Sequence, residues 1–282
     1  MPVQIVTDSL SDLTKEHTTG LGITVIPLTV LFGLETFLDR VTITTEEFYR
    51  RLIAGPILPT STQPAPIDFA NAYDKLSEET NEILTITLSS KLSGTYQSAK
   101  AGIELRKNKK CRVELIDSLT VAGGLGLVVL SAANQAKKGM NLDKLVEYTR
   151  KALTRSHFVV YFDTLKYLAK GGRIGKAAGL LGSVLSFKPI LTVKDGEMSP
   201  VTRLRSRAAG LEYMHNFIAG FKNIESISIE HSTETESTDT IAKRFAETYP
   251  KIPVMRSAVS PVLGVYGGPN AFAVTVLEAE GK

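Results

Sequence analysis

Ile83–Thr95 reads ILTITLSSKLSGT, and how this stretch is parsed decides the fold. Ile83–Leu88 is β-branched and apolar, the pattern of a buried strand. Ser89–Thr95 then offers small hydroxyl residues and a glycine, a composition that turns the chain and opens a helix running to about Leu105. A strand feeding straight into a helix is a βα unit, and the unit recurs on both sides. Upstream, Val3–Thr7 is a short apolar strand, and Ser9–Asp12 supplies capping residues for a helix ending near Gly20. Downstream, Val113–Ile116 is a strand followed by Asp117, Ser118 and a small-residue helix over Thr120–Lys138. Strands alternating with helices predict a parallel or mainly parallel sheet.

The remaining elements extend the pattern. Ile23–Phe32 (ITVIPLTVLF) is an extended run, and Thr44–Glu47 opens a helix to about Ile53 with acidic residues in its first turn. Pro66–Ser77 and Asn141–Arg155 read as helices, and Phe158–Phe162 as a strand. Between them lies Leu58–Pro66 (LPTSTQPAP), whose prolines fix φ and remove backbone donors. That excludes a helix interior and a central strand. It leaves a solvated linker or a rigid loop that holds hydroxyls out for a ligand.

The second half changes character. Asp163–Lys170 is a helix stopped by Gly171 and Gly172, Gly175–Leu185 is a small-residue helix, and Pro189–Val193 with Met198–Thr202 forms a hairpin around Lys194–Glu197. Ser206–Ala219 is helical, Ser226–Glu230 leads into a helix from about Ser237 to Tyr249, and Val254–Ala258 and Ala271–Glu278 are strands. The expectation is an α/β fold in two domains. Residues 1–160 form a Rossmann-like, mainly parallel α/β domain, and residues 161–282 a mixed α+β domain.

Composition narrows the function classes. The chain has 282 residues, 43% hydrophobic and 22% charged, an ordinary globular balance with ample material for cores. Its net charge of +4 is interspersed, and the densest basic run, Arg106–Lys110, carries no aromatic residues, which argues against nucleic acid. The single cysteine, Cys111, allows no internal disulfide and fits a reducing compartment. The opening MPVQIVTDSL has no secretory pattern, and the apolar stretches at Val121–Ala133 and Ala177–Phe187 are too short to cross a membrane, so the expected location is cytoplasmic.

Most catalytic constellations fail on spacing. His17, His157, His215 and His231 are scattered and Cys111 has no partner, so no metal site is expected. Gly171–Ala177 is one residue short of a phosphate loop and places Ala177 where a hydroxyl is required. Gly123-Gly124-Leu125-Gly126 lies inside a helical pattern. Ser93 is not in a nucleophile elbow, and no histidine motif delivers a base, although a serine esterase acting through Ser93 stays open as an alternative. What remains is the Ser89–Thr95 turn at the carboxyl end of a strand. There, helix N–H groups favour an anion and open α/β sheets bind their ligands. Two neutral hydroxyl clusters without a charged base suit holding a carboxylate; the same hydroxyls read equally well as ordinary helix caps. The small residues of Ala177–Leu185 indicate either close packing or room for a slender ligand.

Taken together and in order, these segments resemble the DegV family of bacterial fatty-acid-binding proteins, the binding subunits of fatty acid kinase. The likeness rests on Ile5–Ser9, Pro59–Pro64, Leu92–Tyr96, Gly171–Ile174, Lys188–Leu191 with the Asp195-Gly196 turn, Arg205, and Gly264 with Gly268 and Pro269. It implies a non-catalytic carrier without cofactor. A long-chain fatty acid would lie mainly in the second domain, its carboxylate at the interface against the hydroxyl loops, presented to a separate ATP-dependent kinase. Ser61, Thr62, Ser93 and the Gly94 N–H are the implied carboxylate ligands, with Arg173 and Arg205 at the interface or kinase-docking surface. This chain departs from the family in three places. Ser61-Thr62 reverses the usual Thr-Ser order, Asn270 stands for a glycine, and Tyr266 stands for a histidine close to the carboxylate. A tyrosine donates one hydrogen bond and is not a cation near neutral pH.

Overall fold

The fold is described from a computed structural model over residues 2–181, 187–233 and 235–281. In chain order, the first part contains β1 (Gln4–Asp8), α1 (Lys15–Thr18), β2 (Ile23–Ile26), β3 (Thr29–Phe32), β4 (Glu35–Leu38), α2 (Thr45–Ala54), β5 (Thr60–Thr62), α3 (Pro66–Leu76), β6 (Glu82–Thr87), α4 (Thr95–Leu105), β7 (Arg112–Asp117), α5 (Gly123–Lys137) and α6 (Leu142–Thr154). The second part contains β8 (Ser156–Tyr161), α7 (Lys166–Lys170), a 3-10 turn over Gly175–Leu180, β9 (Lys188–Lys194), β10 (Glu197–Leu204), α8 (Arg207–Ala219), β11 (Ile224–His231), α9 (Glu236–Thr248), β12 (Val254–Ala258), α10 (Pro261–Gly267) and β13 (Phe272–Glu278).

Three sheets result. The βα units read from the sequence give a four-stranded, all-parallel sheet in the order β2-β1-β6-β7. Ile83–Thr87 of β6 is buried along its length, as expected of a strand covered by helices on both faces. A six-stranded mixed sheet has the order β10-β9-β8-β13-β11-β12, antiparallel except where β11 pairs with β12. The strand at 156–161 belongs to this sheet. The third sheet is small and antiparallel, β4-β3-β5.

Helix α5 joins the two large sheets, touching β1 and β6 on one side and β8, β11 and β13 on the other. It is buried nearly all round, and its glycines make this possible. A Cβ on Gly126 would lie 2.3 Å from the Ser11 carbonyl oxygen, and one on Gly123 2.5 Å from Ser228 Oγ. The glycines that failed as a nucleotide motif are therefore close-approach points.

Several sequence expectations change. In place of the helix expected after the Ser9–Asp12 capping residues and ending near Gly20 there is a 3-10 turn at Ser9–Ser11 followed by the four-residue α1. Tertiary bonds explain it: Asp8 accepts from the Leu10 and Leu88 N–H groups, and Asp12, at φ 55°, accepts from the Ser260 N–H. The extended run Ile23–Phe32 splits beside Pro27 into β2 and β3, which belong to different sheets. Helix α7 starts at Lys166, later than expected, and α5 starts only after Leu119 and Ala122 adopt positive φ. Of the expected helix Gly175–Leu185, the first part is the 3-10 turn, and Gly182–Leu185 lies outside the described residues. Strand β4 and helix α10 were not anticipated.

Candidate functional site

The LPTSTQPAP segment is neither a free loop nor a linker. Thr60–Thr62 forms the edge strand β5 against β3, with Ser61 opposite buried Val30, and an edge is where flanking prolines are tolerated. Side chains alternate along a strand, so Ser61 faces inward while Thr60 and Thr62 are exposed. Ser61 Oγ lies 2.7 Å from the Tyr266 hydroxyl. Tyr266 sits in the last turn of α10, a helix started by Pro261 and by Ser260, whose Oγ accepts from the Leu263 N–H. Its ring lies against Gly171, where a Cβ would come within 2.5 Å of it.

Arg173 completes the arrangement. Its guanidinium sits 5.3 Å from the centre of the Tyr266 ring. It donates to the Leu92 carbonyl at 3.2 Å and to the Gly171 carbonyl at 2.7 Å, which ties the loop before α4 to the end of α7. In that loop, Ser93 Oγ is 2.9 Å from Thr95 Oγ1. Gln63 packs across Gly94, with 3.2 Å between Gln63 Cδ and the position of a Cβ on that glycine.

These groups ring one end of a cavity. Ser61, Gln63, Ser93, Arg173 and Tyr266 line it together with apolar side chains including Leu10, Leu88, Val121, Phe162, Leu168 and Val262. The space between them, counted together with the open solvent it reaches, amounts to about 870 Å³. The walls come from the six-stranded sheet, from the segments that follow β1, β2 and β6, from α10 and from the turn before α5. Residues read from the sequence thus converge in four cases: Ser61, Ser93, Arg173 and Tyr266. Thr62 faces away, Gly94 caps α4 behind Gln63, and Arg205 is exposed beyond β10; none of the three lines the cavity.

Two polar lining residues escaped the sequence reading. Gln63 lay inside the quoted segment and carries the polar amide nearest Gly94. Glu230 was assigned only to a strand, although a carboxylate following Ile227 and Ile229 at alternate positions was a signal. It is fully buried, and burial together with the neighbouring Asp12 carboxyl pushes its pKa well above the ordinary value.

Glu230 belongs to a buried acidic group beneath the cavity. Asp39 accepts from Ser9 Oγ at 2.7 Å, and that same oxygen accepts from the Leu28 N–H. Burial raises both Asp8 and Asp39 to about 7. Burial raises Asp12 too, against the attraction of Arg40, whose Nη2 lies 3.1 Å from Asp12 Oδ1. Among the described residues no group of three or more His, Cys, Asp or Glu side chains is arranged to hold a metal ion.

The family model described as "Uncharacterised protein, DegV family" matches residues 2–279. The chain belongs to the DegV family. A DegV domain-containing protein of Caldanaerobacter subterraneus is 33% identical over 276 residues, covering 96% of this chain and 97% of the relative. Among solved structures, one of a DegV family protein from Thermus thermophilus, described for its fatty acid binding, superposes with a TM-score of 0.89 at 28% identity, covering 99% of this chain and all of that one. The Streptococcus pneumoniae fatty acid kinase B3 protein, loaded with linoleic acid, shares the fold with a TM-score of 0.86 at 18% identity, over 99% of this chain and 100% of its own.

Against the family pattern, this DegV chain accounts for one departure directly. Asn270 has φ 65°, a left-handed conformation that asparagine tolerates better than most residues. Its side-chain oxygen accepts from Thr233 Oγ1 at 3.0 Å and its carbonyl from Arg207 at 2.7 Å. Of the histidines, His17 is held by Thr14, His157 by Glu278, and His215 packs on Phe245, while Ser93 bonds Thr95. No helix among the described residues is long and apolar enough to cross a membrane.

Proposed function

We propose that this protein binds a long-chain fatty acid in the cavity between the two large sheets and presents its carboxylate to a separate ATP-dependent kinase for conversion to an acyl phosphate. The observation that carries the reading is an apolar cavity whose polar ring is made of neutral donors, Ser61, Ser93, Gln63 and Tyr266, beside the single cation Arg173. Such a ring meets a carboxylate with charge-assisted hydrogen bonds and offers no base to activate a nucleophile. Burying roughly fourteen methylenes at about 0.8 kcal/mol each supplies on the order of 11 kcal/mol before the costs of association. The charged head must be paired, because an unpaired buried carboxylate is prohibitive.

In this reading the chain divides near residue 160. The hydroxyl loops come from 1–160, and much of the acyl wall comes from 161–282. The carboxylate lies against Ser61, Tyr266 and Ser93, while Arg173 and the exposed Arg205 face the kinase. Fatty acid binding by the Thermus relative and the fatty acid kinase B3 protein among the fold neighbours support the reading. Denaturing mass spectrometry of protein purified without added lipid tests it. A stoichiometric long-chain acid is expected. The absence of any bound acid, together with no uptake of added palmitate or oleate, refutes the proposal. Catalysed hydrolysis of an acyl ester that Ser93→Ala abolishes would favour the esterase instead.

A further inference from the structure

Strand β9 parts from β8 before either strand ends. The N–H of Phe162, just past β8, donates to the Pro189 carbonyl at 3.1 Å. In an antiparallel ladder this fixes which groups meet: Phe162, Val160 and Phe158 turn their main-chain groups toward Pro189, Leu191 and Val193. Pairing between the two strands stops at Val160 and Leu191. Yet β8 begins at Ser156 and β9 runs on to Lys194, each still paired on its far side, with β13 and β10. The next pair due, Phe158 with Val193, does not form. The Thr192 hydroxyl donates to the Phe158 carbonyl instead, at 2.6 Å.

The tip of the β9–β10 hairpin is attached elsewhere. The Gly196 carbonyl accepts from buried Ser89 Oγ at 2.7 Å, and a Cβ on Gly196 would lie 3.1 Å from Leu119 Cδ2. The two strands thus form a fork, and a second cleft opens in it. Phe158, Val159, Thr192 and Val193 line this cleft from the strands, with Leu119 and Arg150 from the first part of the chain. None of the six lines the cavity described above. Leu119 and Val201, both at the cleft, are 45% and 42% exposed, so apolar surface is left uncovered there.

The main-chain groups of the fork point to a peptide. The Val193 N–H and C=O and the Phe158 N–H are turned into it without a strand partner, and such groups take up an added strand. The charges of the cleft point to a carboxylate on that strand. Asp117 accepts from the Ser90 and Leu119 N–H groups, Asp195 lies 3.3 Å from Lys176, and His157 lies 2.8 Å from Glu278. Arg150, the remaining charged side chain of the lining, is exposed and has no ion-pair or hydrogen-bond partner among the described residues.

We propose that the fork between β8 and β9 is a docking site for an extended segment of a partner protein, which adds as a strand and sets an acidic residue against Arg150. The inference does not depend on the fatty-acid reading, because the fork and the cavity are lined by different residues at these positions. The probe is the fluorophore-labelled peptide acetyl-Glu-Val-Thr-Val-Thr-Val-amide, read by anisotropy, with backbone hydrogen exchange locating it on the protein. Saturable binding is expected, with exchange slowed at Phe158 and Val193. The same peptide methylated at every backbone nitrogen should bind at least about tenfold more weakly, because its main-chain donors are gone. Lysine in place of its glutamate should weaken binding by about threefold, the scale of an exposed ion pair, and Arg150→Ala should make the two peptides equal. Thr192→Val frees the Phe158 carbonyl for the incoming strand and should tighten binding by about threefold or more. Absence of saturable binding overturns the inference, as does equal affinity for the methylated peptide, which would mean apolar contact alone. Protection that omits Phe158 and Val193 overturns it too, and so does a preference for glutamate that survives Arg150→Ala. The wild-type measurements with the three peptides decide the matter even if a variant folds poorly.

Discussion

Replacing Tyr266 by phenylalanine removes one oxygen and little else. The ring keeps its seat on Gly171 and its contact with the Arg173 guanidinium, 5.3 Å from the ring centre, so the mouth of the cavity retains its shape. The hydroxyl lost is the one 2.7 Å from Ser61 Oγ, a distance typical of a well-formed O–H···O bond. With a carboxylate present, the Tyr266 and Ser61 hydroxyls both become donors to it, and each such bond to a charged group contributes roughly 1.5–3 kcal/mol. Tyr266→Phe should therefore weaken fatty-acid binding by about 10- to 150-fold. It should cost the ligand-free protein no more than about 1.5 kcal/mol, the ordinary range for a neutral hydrogen bond. Titration calorimetry with palmitate on the delipidated protein reads the first quantity and urea melts read the second. A double-mutant cycle with Ser61→Ala then asks whether the two hydroxyls act as a unit. If Tyr266→Phe leaves the affinity within twofold of wild type, the carboxylate does not lie against Tyr266 and the assignment of this end of the cavity as the head-group site fails.

Three further outcomes follow from the same geometry. Ser93→Ala should weaken palmitate binding by about tenfold, one charge-assisted bond, with little change in the melt; unchanged affinity would remove Ser93 from the site. Gly126→Ala drives a Cβ to 2.3 Å from the Ser11 carbonyl, and should destabilise the protein by roughly 1–3 kcal/mol, as overpacking does; a urea midpoint equal to wild type would refute the close packing of α5. The raised carboxyls Asp8 and Asp39, each at about 7, hold protons that the unfolded chain releases near its ordinary pKa of about 4. Their contribution is fully present below that lower value and is lost as pH rises through about 7, so the melting temperature should fall between about pH 4 and about pH 7 and level off above. Asp39→Asn should flatten that slope, and an identical slope in the variant would contradict it.

The repeating unit of the fold was legible from short-range signals. β6 followed by Ser89–Thr95 carried its own strand pattern and turn chemistry, and the Asp195-Gly196 turn, both residues at positive φ, marked the β9–β10 hairpin unaided. What escaped was settled by distant partners. Nothing local to Ser9–Gly20 says that Asp12 will accept from the Ser260 N–H across the chain. Ile23–Phe32 has one continuous apolar pattern because each half turns residues such as Ile26 and Val30 into a core, in different sheets. The site was legible to the same degree. Hydroxyls at Ser61 and Ser93 stood out by composition, but choosing Ser61 over Thr62 required the pairing of β5 with β3, which fixes the inward face. Glu230 became visible only once Ala273 and Asp12 were beside it.

The place of β13 in the six-stranded sheet carries a consequence for how the protein is made. This strand lies between β8 and β11, pairing with both, yet it follows every other strand in the chain. During synthesis β8 and β11 emerge with open edges and wait for the strand that joins them. Unpaired edges of this kind invite association with other chains. Ala273, part of the cavity wall, arrives with that strand. The cavity is therefore the last part of the molecule to be assembled, and a nascent chain stalled before Phe272 would have most of its secondary structure and an incomplete cavity wall.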